Sequence, residues 1–360
     1  MEHSVTIKDL AQAASVSIAT VSRVLNHQGN INEQLRQRVL QAASDLGYSK
    51  VTKAARPTTT RGNRRGTLKE IGFILTYDGA KEGPLSSFWA HILQGAEIEA
   101  SQSDTHITYH GIGSNHSPYE LLAQIHAMQL DGILLVGPTD PAIVQAVQHA
   151  GLPFVLVDNY QRIPGQQIDA VLSNNFEGCK EITSYLIAKG HRRIAFLGGD
   201  TAQPPTPPNH IYTFEARLDG YIAALHSAGI PIDDALIMHC NIHSRQHIAE
   251  TSARVFATNG PISALVCVND PTAAWAIRTL REQGYNVPDD ISVVGFDDAE
   301  IAIHLTPSLT TMHVYQEEMG AQAVQAMIKR ITHPQQIGLT TILNVDLVVR
   351  DSVRPYREQK

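Results

Sequence analysis

Three short apolar runs in this chain end in acids or amides. Asp158 closes PFVLVD, Asn269 and Asp270 close SALVCVND, and Asp297 and Asp298 close ISVVGFDD. Carboxylates and amides of this kind, joined by an arginine guanidinium, supply the acceptors and donors that adjacent hydroxyls of a neutral polyol require. Taken one at a time, a polar residue at a strand end reads as the N-cap of the following helix. Only convergence on one cleft would turn these residues into a binding site, and in sheets of parallel strands such clefts lie at the carboxyl ends. A second set of candidates lies near the N-terminus: Ile18, Ala19, Ser22, Arg23 and Asn26 fall on one face of a short helical segment.

That segment belongs to residues 6–26, TIKDLAQAASVSIATVSRVLN. Ile7, Leu10, Ala11 and Ala14 recur at helical spacing, with Thr6 placed as N-cap and Asp9 three residues on to reciprocate. Ser17 is the expected cap of the next helix, and the residues between leave room only for a tight turn, with Val16 directed into the core of Leu10, Val21 and Leu25. A third amphipathic segment starts at Asn32 and runs through Leu35, Val39, Leu40, Ala43 and Leu46 to Gly47. The pattern is a three-helix helix-turn-helix head, whose second helix has its outer face free to enter a major groove. Charge agrees with that reading. Residues 1–66 hold ten Lys and Arg against four Asp and Glu, whereas the remainder holds eighteen against thirty-one, so a chain of net charge −7 has a basic head fit to neutralise phosphates.

Behind the head, residues 49–67 (SKVTKAARPTTTRGNRRGT) show no apolar period and read as a charged linker. From residue 68 onward, EIGFILTY, THITYHG, DGILLVGP and PFVLVDN alternate with helical stretches near 88–103, 117–128 and 140–150. The series then restarts with DAVLSNN, RIAFLGGD, ALIMHC, SALVCVN and ISVVGFDD, and closes with LTTMHV, a helix from about Tyr315 to Thr332, and one last strand, TILNVDLVVRDSV. Apolar strands alternating with helices imply parallel sheets covered on both faces, here in two successive α/β lobes.

IKDLAQAASVSIATVSRVLN followed by INEQLRQRVLQAASDLGY resembles the head of the LacI/GalR (lactose and galactose repressor) family of bacterial transcription regulators, and the remainder fits that family over nearly its whole length. The resemblance implies a two-lobed, periplasmic-binding-protein-like body with crossovers between the lobes and an effector in the cleft. On that basis the domains are 1–48 (helix-turn-helix), 49–67 (hinge) and 68–360, with a first lobe of about 68–160 and 308–335 and a second of about 161–307 and 336–360. RLDGY at 217–221 matches the family's Arg-x-x-Gly-aromatic motif, and VND and GFDD match as well, which carries the effector role onto Arg217, Asn269 and Asp297, with Asp158 at the strand end on the hinge side. SSFWAHILQGAE aligns with an aromatic segment and adds Phe88 and Trp89, either as a stacking surface for a sugar or as packing within their own lobe.

On DNA the resemblance makes Arg23 a base-edge or phosphate contact and Ile18 and Ala19 the discriminators, in the manner of the galactose-repressor type. Thr6, Thr20, Ser22 and Asn26 would hold phosphates and fix register, and the helix cap Ser17 is counted with them among the DNA contacts. The family's hinge helix carries a leucine that opens the central base step. Here Lys50 and Val51 replace the usual Pro-Asn and Pro57 stands where the leucine is expected, so any hinge helix is confined to about Val51 to Arg56, with Ala54 and Arg56 as its DNA contacts. The proline-rich stretch TAQPPTPPNHIY, 201–212, is a stiff loop near the cleft mouth, either a lid or a spacer.

Composition excludes other classes. MEHSVTIKDL lacks the basic start and apolar run of a secretory signal, and no stretch approaches a membrane span, so a cytoplasmic protein is expected. Cys179, Cys240 and Cys267 stand apart without metal or redox spacing and read as buried structural thiols. There is no Gly-rich phosphate loop, and GIGSNH lacks the Gly-x-Ser-x-Gly spacing of a nucleophile elbow, so neither catalysis nor a cofactor is expected. The expectation is a regulator, most simply a repressor, that binds an operator in double-stranded DNA as a homodimer and answers to a small-molecule effector, a sugar by resemblance. The alternative is a sugar-binding receptor module without DNA binding, against which the basic head argues.

Overall fold

The computed structural model describes residues 11–17, 20, 21, 24, 35, 38, 39 and 42 near the N-terminus, then 69–77, 86–113, 118–163, 165–198, 211–241, 244–258 and 262–356. The chain divides into two compact units, Met1–Thr67 and Leu68–Lys360. Expected DNA contacts at Thr6, Ile18, Ala19, Ser22, Arg23, Asn26, Ala54 and Arg56 lie outside the described residues, as do the linker 49–67 and positions 201–210 of the proline-rich loop.

In the N-terminal unit a helix ends at the expected turn. Ser15 adopts a left-handed φ of 53°, and the N–H of Val16 returns to the carbonyl of Ala11 at 3.0 Å, which satisfies a carbonyl the ending helix would leave open. Ser17 then caps the next helix, its Oγ accepting from the N–H of Thr20 at 3.1 Å and sharing a 2.8 Å hydrogen bond with the Thr20 hydroxyl. Ala11, Ala14, Val21, Val24, Val39 and Ala42 are buried together with Val16 packed against them, so the described positions of all three helical segments share one small core.

The larger unit is two α/β lobes. In the first, β1 (Lys69–Tyr77), α1 (Ser87–Gln102), β2 (Thr105–Gly113), α2 (Pro118–Met128), β3 (Gly132–Val136), α3 (Pro141–His149), β4 (Phe154–Val157) and β5 (Asp169–Ser173) follow in order. The chain crosses to the second lobe for α4 (Asn175–Ala188), β6 (Ile194–Gly198), α5 (Tyr212–Ser227), β7 (Ile237–His239), α6 (Arg245–Thr258), β8 (Ala264–Cys267), α7 (Asp270–Glu282), β9 (Ser292–Val294), the short α8 (Ile301–His304) and β10 (Thr311–Val314). It returns for α9 (Gln316–Thr332) and β11 (Thr340–Leu343), and crosses a third time into β12 (Val345–Val348).

The first sheet has the order β11-β5-β4-β3-β1-β2 and the second β7-β6-β8-β9, all pairs parallel. The antiparallel pair β10-β12 continues the second sheet through bridges Val294–Thr310 and Asp297–His313. Period-two alternation explains the layers: Ile71, Phe73 and Leu75 of β1 face one core while Ile74 faces another, and Val266 and Cys267 of β8 part in the same way. Strands buried on both faces are therefore apolar throughout, as the sequence showed.

Two expectations need correction. β5 was expected to open the second lobe, and β11 to belong there as well, yet both pair inside the first sheet; β10, expected in the first lobe, extends the second. The last apolar run was expected to be one strand, whereas it breaks at Asn344 into β11 and β12 on different lobes. A strand buried on both faces carries no mark of which neighbour it pairs with, so the sequence pattern gave the strands and not their sheet. Glycine brings the helices into register. A Cβ at Gly95 would overlap the carbonyl oxygen of Glu317, and one at Gly320 that of Ile92, so α1 and α9 cross with their backbones in contact.

Candidate ligand-binding site

The Arg-x-x-Gly stretch explains itself once α4 and α5 are seen together. A Cβ at Gly220 would overlap the carbonyl oxygen of Phe176, so the glycine lets α5 lie directly on the start of α4. Arg217, three residues earlier on the same helix face, then reaches Asn175: its Nε donates to Asn175 Oδ1 at 2.7 Å. Nη1 donates to the carbonyl of Val268 at 2.6 Å and Nη2 to Asp297 Oδ1 at 3.0 Å. The guanidinium lies 3.8 Å from the centre of the Phe296 ring and is 2% exposed. Sequence reasoning missed Asn175. Its signal was the doubled Asn of DAVLSNN, because Asn174 already caps α4 by accepting from Glu177 N–H, leaving the second amide for other work.

Asp297 and Asp158 bring the two lobes to this arginine. Asp158 leaves β4 with a left-handed φ of 53°, and Asp297 follows β9 with a φ of 105°, backbone conformations that cost energy in a non-glycine residue and that cluster at functional sites. Both are buried. Burial pushes the Asp158 carboxyl up to about 7, with Arg217 opposing the shift and Asp297 adding to it. Burial likewise lifts Asp297 to about 6 against the pull of Arg217. Among the described residues the Oδ1 of Asp158 has no hydrogen-bond partner.

The other strand-end residues divide. Asn269 is the N-cap of α7, its Oδ1 accepting from Thr272 N–H at 3.0 Å, so the capping reading holds for its oxygen. Asp270 is fully buried and braces the scaffold, accepting from Ala299 N–H at 2.7 Å and from the Thr311 hydroxyl at 2.6 Å. Asp298 turns away to Arg350 at 2.6 Å and His313 at 3.0 Å. Phe88 and Trp89 form an edge-on pair, 4.9 Å between ring centres, at the start of α1, half-buried against the lobe core. The Trp89 ring lies over Gly137 just past the end of β3, which places it at the carboxyl edge where Asp158 also lies. Tyr160 of the first lobe packs on Tyr212 of the second, 5.1 Å between ring centres. Gln316 of α9 donates to the Asp297 carbonyl at 3.0 Å, tying a crossover to the site. Cys179, Cys240 and Cys267 are buried and not joined in disulfides, and burial pushes up the thiol pKa of Cys179 and Cys267.

A helix-turn-helix unit joined to a two-lobed body with polar groups meeting between its lobes defines a DNA-binding regulator that answers to a small ligand. Comparison with known proteins makes this specific. Residues 6–50 match the family of bacterial regulatory proteins described as the lacI family, and residues 183–353 match the periplasmic binding protein-like domain. The chain thus carries a lacI-family DNA-binding domain and a periplasmic-binding-protein-like domain, and the relatives it resembles are LacI-family repressors. It is 29% identical over 352 residues to the probable HTH-type transcriptional repressor ExuR of Bacillus subtilis (strain 168), covering 97% of this chain and 98% of that one. It is 28% identical over 355 residues to the HTH-type transcriptional repressor PurR of Pasteurella multocida (strain Pm70), again 97% and 98% covered. Among solved structures it superposes on a transcriptional regulator CelR–cellobiose complex with a TM-score of 0.72 and 26% identity, covering 97% of this chain and 99% of that one.

Proposed function

We propose that this chain is a transcriptional repressor whose affinity for an operator is set by a sugar held between the two lobes of its body. The observation that carries the reading is the cluster of Arg217, Asn175, Asp297 and Asp158, buried, drawn from both lobes and left with an unpaired carboxylate oxygen. Buried polar groups without partners cost free energy, so a site that keeps one awaits a ligand that completes it. A CelR structure described as a cellobiose complex shares the fold of the whole chain, which favours a saccharide. Asn269, through its amide nitrogen, and Phe88 and Trp89 complete the proposed effector contacts, and Thr6, Ser17, Ile18, Ala19, Thr20, Ser22, Arg23, Asn26, Ala54 and Arg56 the proposed DNA contacts.

Closure of the lobes on a ligand acts on operator affinity through whatever difference in contact the two states make, so the coupling is reciprocal and its sign is open to measurement. The protein acts as a cytoplasmic homodimer, places two recognition helices on a two-fold operator, and catalyses no reaction. The test is a gel-shift titration of promoter DNA with the full chain, with and without sugar. The operator dissociation constant should change on adding an active sugar, and Asp158→Asn should blunt that change. A variant that responds at unchanged sugar concentration would remove Asp158 from the site, and failure to bind any promoter fragment at low salt would remove the DNA-binding reading itself.

A further inference from the structure

The turn after β9 holds two acids that face opposite ways. Asp297 and Asp298 both have left-handed backbones, φ 105° and 53°, conformations that persist only where the surroundings hold them. Asp297 accepts from Arg217 in the ligand cluster, its N–H donates to the carbonyl of Met312 at 2.9 Å, and its carbonyl accepts from Gln316. Asp298 is turned to the strands that carry the chain between the lobes. One of its oxygens accepts from Arg350, just past β12, at 2.6 Å, and the other is bonded to His313 Nδ1 of β10 at 3.0 Å, in a side chain 14% exposed. From His313 the contacts run outward to the crossovers. Its ring meets that of Tyr315 edge-on, 4.7 Å between centres, and the Tyr315 hydroxyl, on the second crossover, donates to Asp346 beside the third. The N–H of Asn174, on the first, donates to the carbonyl of Leu343 at the third at 2.8 Å, so all three are tied together.

We propose that Asp298 is a positioning residue for the ligand response: it touches no ligand, and it fastens the turn that carries Asp297 to the strands leading into the second and third crossovers, so that a shift of Asp297 is passed to the links between the lobes. The inference rests on the cleft being the effector site proposed above, and it names the part that carries the response. Coupling between two sites requires an element whose arrangement both of them bias. The crossovers are such an element, because the lobes change their relative placement only through them. Asp297 reaches the second by its backbone, since Met312 and Gln316 lie on either side of it. Asp298 reaches the third through Arg350, which also donates to the carbonyl of Leu309 at 2.9 Å just before β10. A carboxylate shared by two partners away from water is held stiffly, because hydrogen bonds are stronger there and losing one leaves the charge less compensated. The two acids are consecutive, so Asp297 cannot move without Asp298. The path of contacts from Asp297 through Asp298, His313 and Tyr315 to Asp346 has no gap. Removing the Asp298 carboxyl leaves every atom of the Arg217, Asn175 and Asp297 cluster in place.

Three variants of the full chain test this. Asp298→Ala cuts both ties, and Asp298→Asn can remake them without charge, its oxygen toward Arg350 and its amide toward His313. His313→Ala cuts one tie and leaves the turn untouched, which controls for the strain that alanine adds at a left-handed position. Cellobiose, ribose and galactose are the probes, with sugar affinity read by calorimetry, promoter affinity by gel shift, and melting as the check that each variant is folded. A sugar that changes the promoter dissociation constant of the parent about tenfold should change that of Asp298→Ala by less than about twofold, while the sugar's own affinity in the absence of DNA stays within about threefold. Asp298→Asn should keep most of the response, and His313→Ala an intermediate part. Without any sugar, amide hydrogen exchange at residues 314–316 and 343–346 should quicken in Asp298→Ala and not in Asp298→Asn. An undiminished response in Asp298→Ala, or unaltered exchange at the crossovers, overturns the proposal; loss of response in proportion to loss of sugar binding does so too, because it makes Asp298 a plain support of the cleft. If none of the sugars shifts the parent, the reading of the cleft as a sugar site fails instead, and exchange at the crossovers alone decides whether Asp298 holds them.

Discussion

Arg330 and Arg217 are both buried and each holds an aspartate, Asp169 at 2.6 Å and Asp297 at 3.0 Å. Around Arg330 the remaining donors go to the carbonyls of Pro334, Gln336 and Ile337, and the second oxygen of Asp169 accepts from Leu339 N–H at 2.8 Å. That pair fastens the loop between α9 and β11 to β5 and leaves nothing open. Around Arg217 the arginine is just as well held, but the acid that faces it from the other lobe, Asp158, is not. Both sites desolvate charge, and the difference lies in completeness. A buried ion pair whose every partner is supplied by the chain is scaffold, and one with a deficit is a place where something else is meant to bind.

The contrast breaks first at Arg330. Arg330→Ala leaves Asp169 buried without its cation and frees three carbonyls from their donor, so the body should lose about 3–5 kcal/mol of stability, read as an earlier midpoint in urea at unchanged slope. Ligand binding by the folded fraction should be unaltered. A loss under about 1 kcal/mol would place this pair with ordinary surface bridges and end its standing as the completed counterpart.

Asp158→Asn should move stability the opposite way. The folded carboxyl titrates near 7 instead of 3.8, so between those values the folded state keeps a proton that the unfolded chain releases. Wild-type stability therefore falls as pH rises through that window and stays at its lower level above it. Asparagine has no proton to lose. The variant should match the parent at pH 4 and exceed it at pH 8 by on the order of 1–2 kcal/mol, a gain in fold obtained by giving up a binding group. Denaturation at the two pH values checks it, and a variant no more stable at pH 8 would mean that the carboxylate is already compensated in the empty cleft.

Much of this arrangement was legible in the chain. Both faces of each parallel strand are buried, so the strands announced themselves as apolar runs, and the helices between them fell within a residue or two of their expected limits. The Arg-x-x-Gly spacing marked both the donor and the glycine that lets it approach. What could not be read was pairing. Nothing in DAVLS or TTIL tells which sheet receives it, since register and neighbour are set by distant strands. The same holds for Asp297 and Asp298, identical in type and adjacent in sequence, one turned to Arg217 and the other to Arg350.

The smallest test carries the contrast into the DNA-binding unit, where Ser17 is expected both to cap the second helix and to lie among the DNA contacts. Its oxygen accepts from the N–H of Thr20 and is hydrogen-bonded to the Thr20 hydroxyl, so the serine is already complete as the cap of the second helix. By the rule that separates Arg330 from the cleft, its first role is scaffold. Ser17→Ala should cost about 1 kcal/mol of stability in that unit. Ser17→Asp separates the roles, because aspartate caps as well as serine and suits the positive end of the helix, yet it sets a negative charge where phosphate would approach. Stability should be retained in Ser17→Asp and lost in Ser17→Ala, while operator affinity falls in the aspartate variant with a shallower dependence on salt. Unchanged melting in Ser17→Ala would return the residue to a purely DNA-facing role.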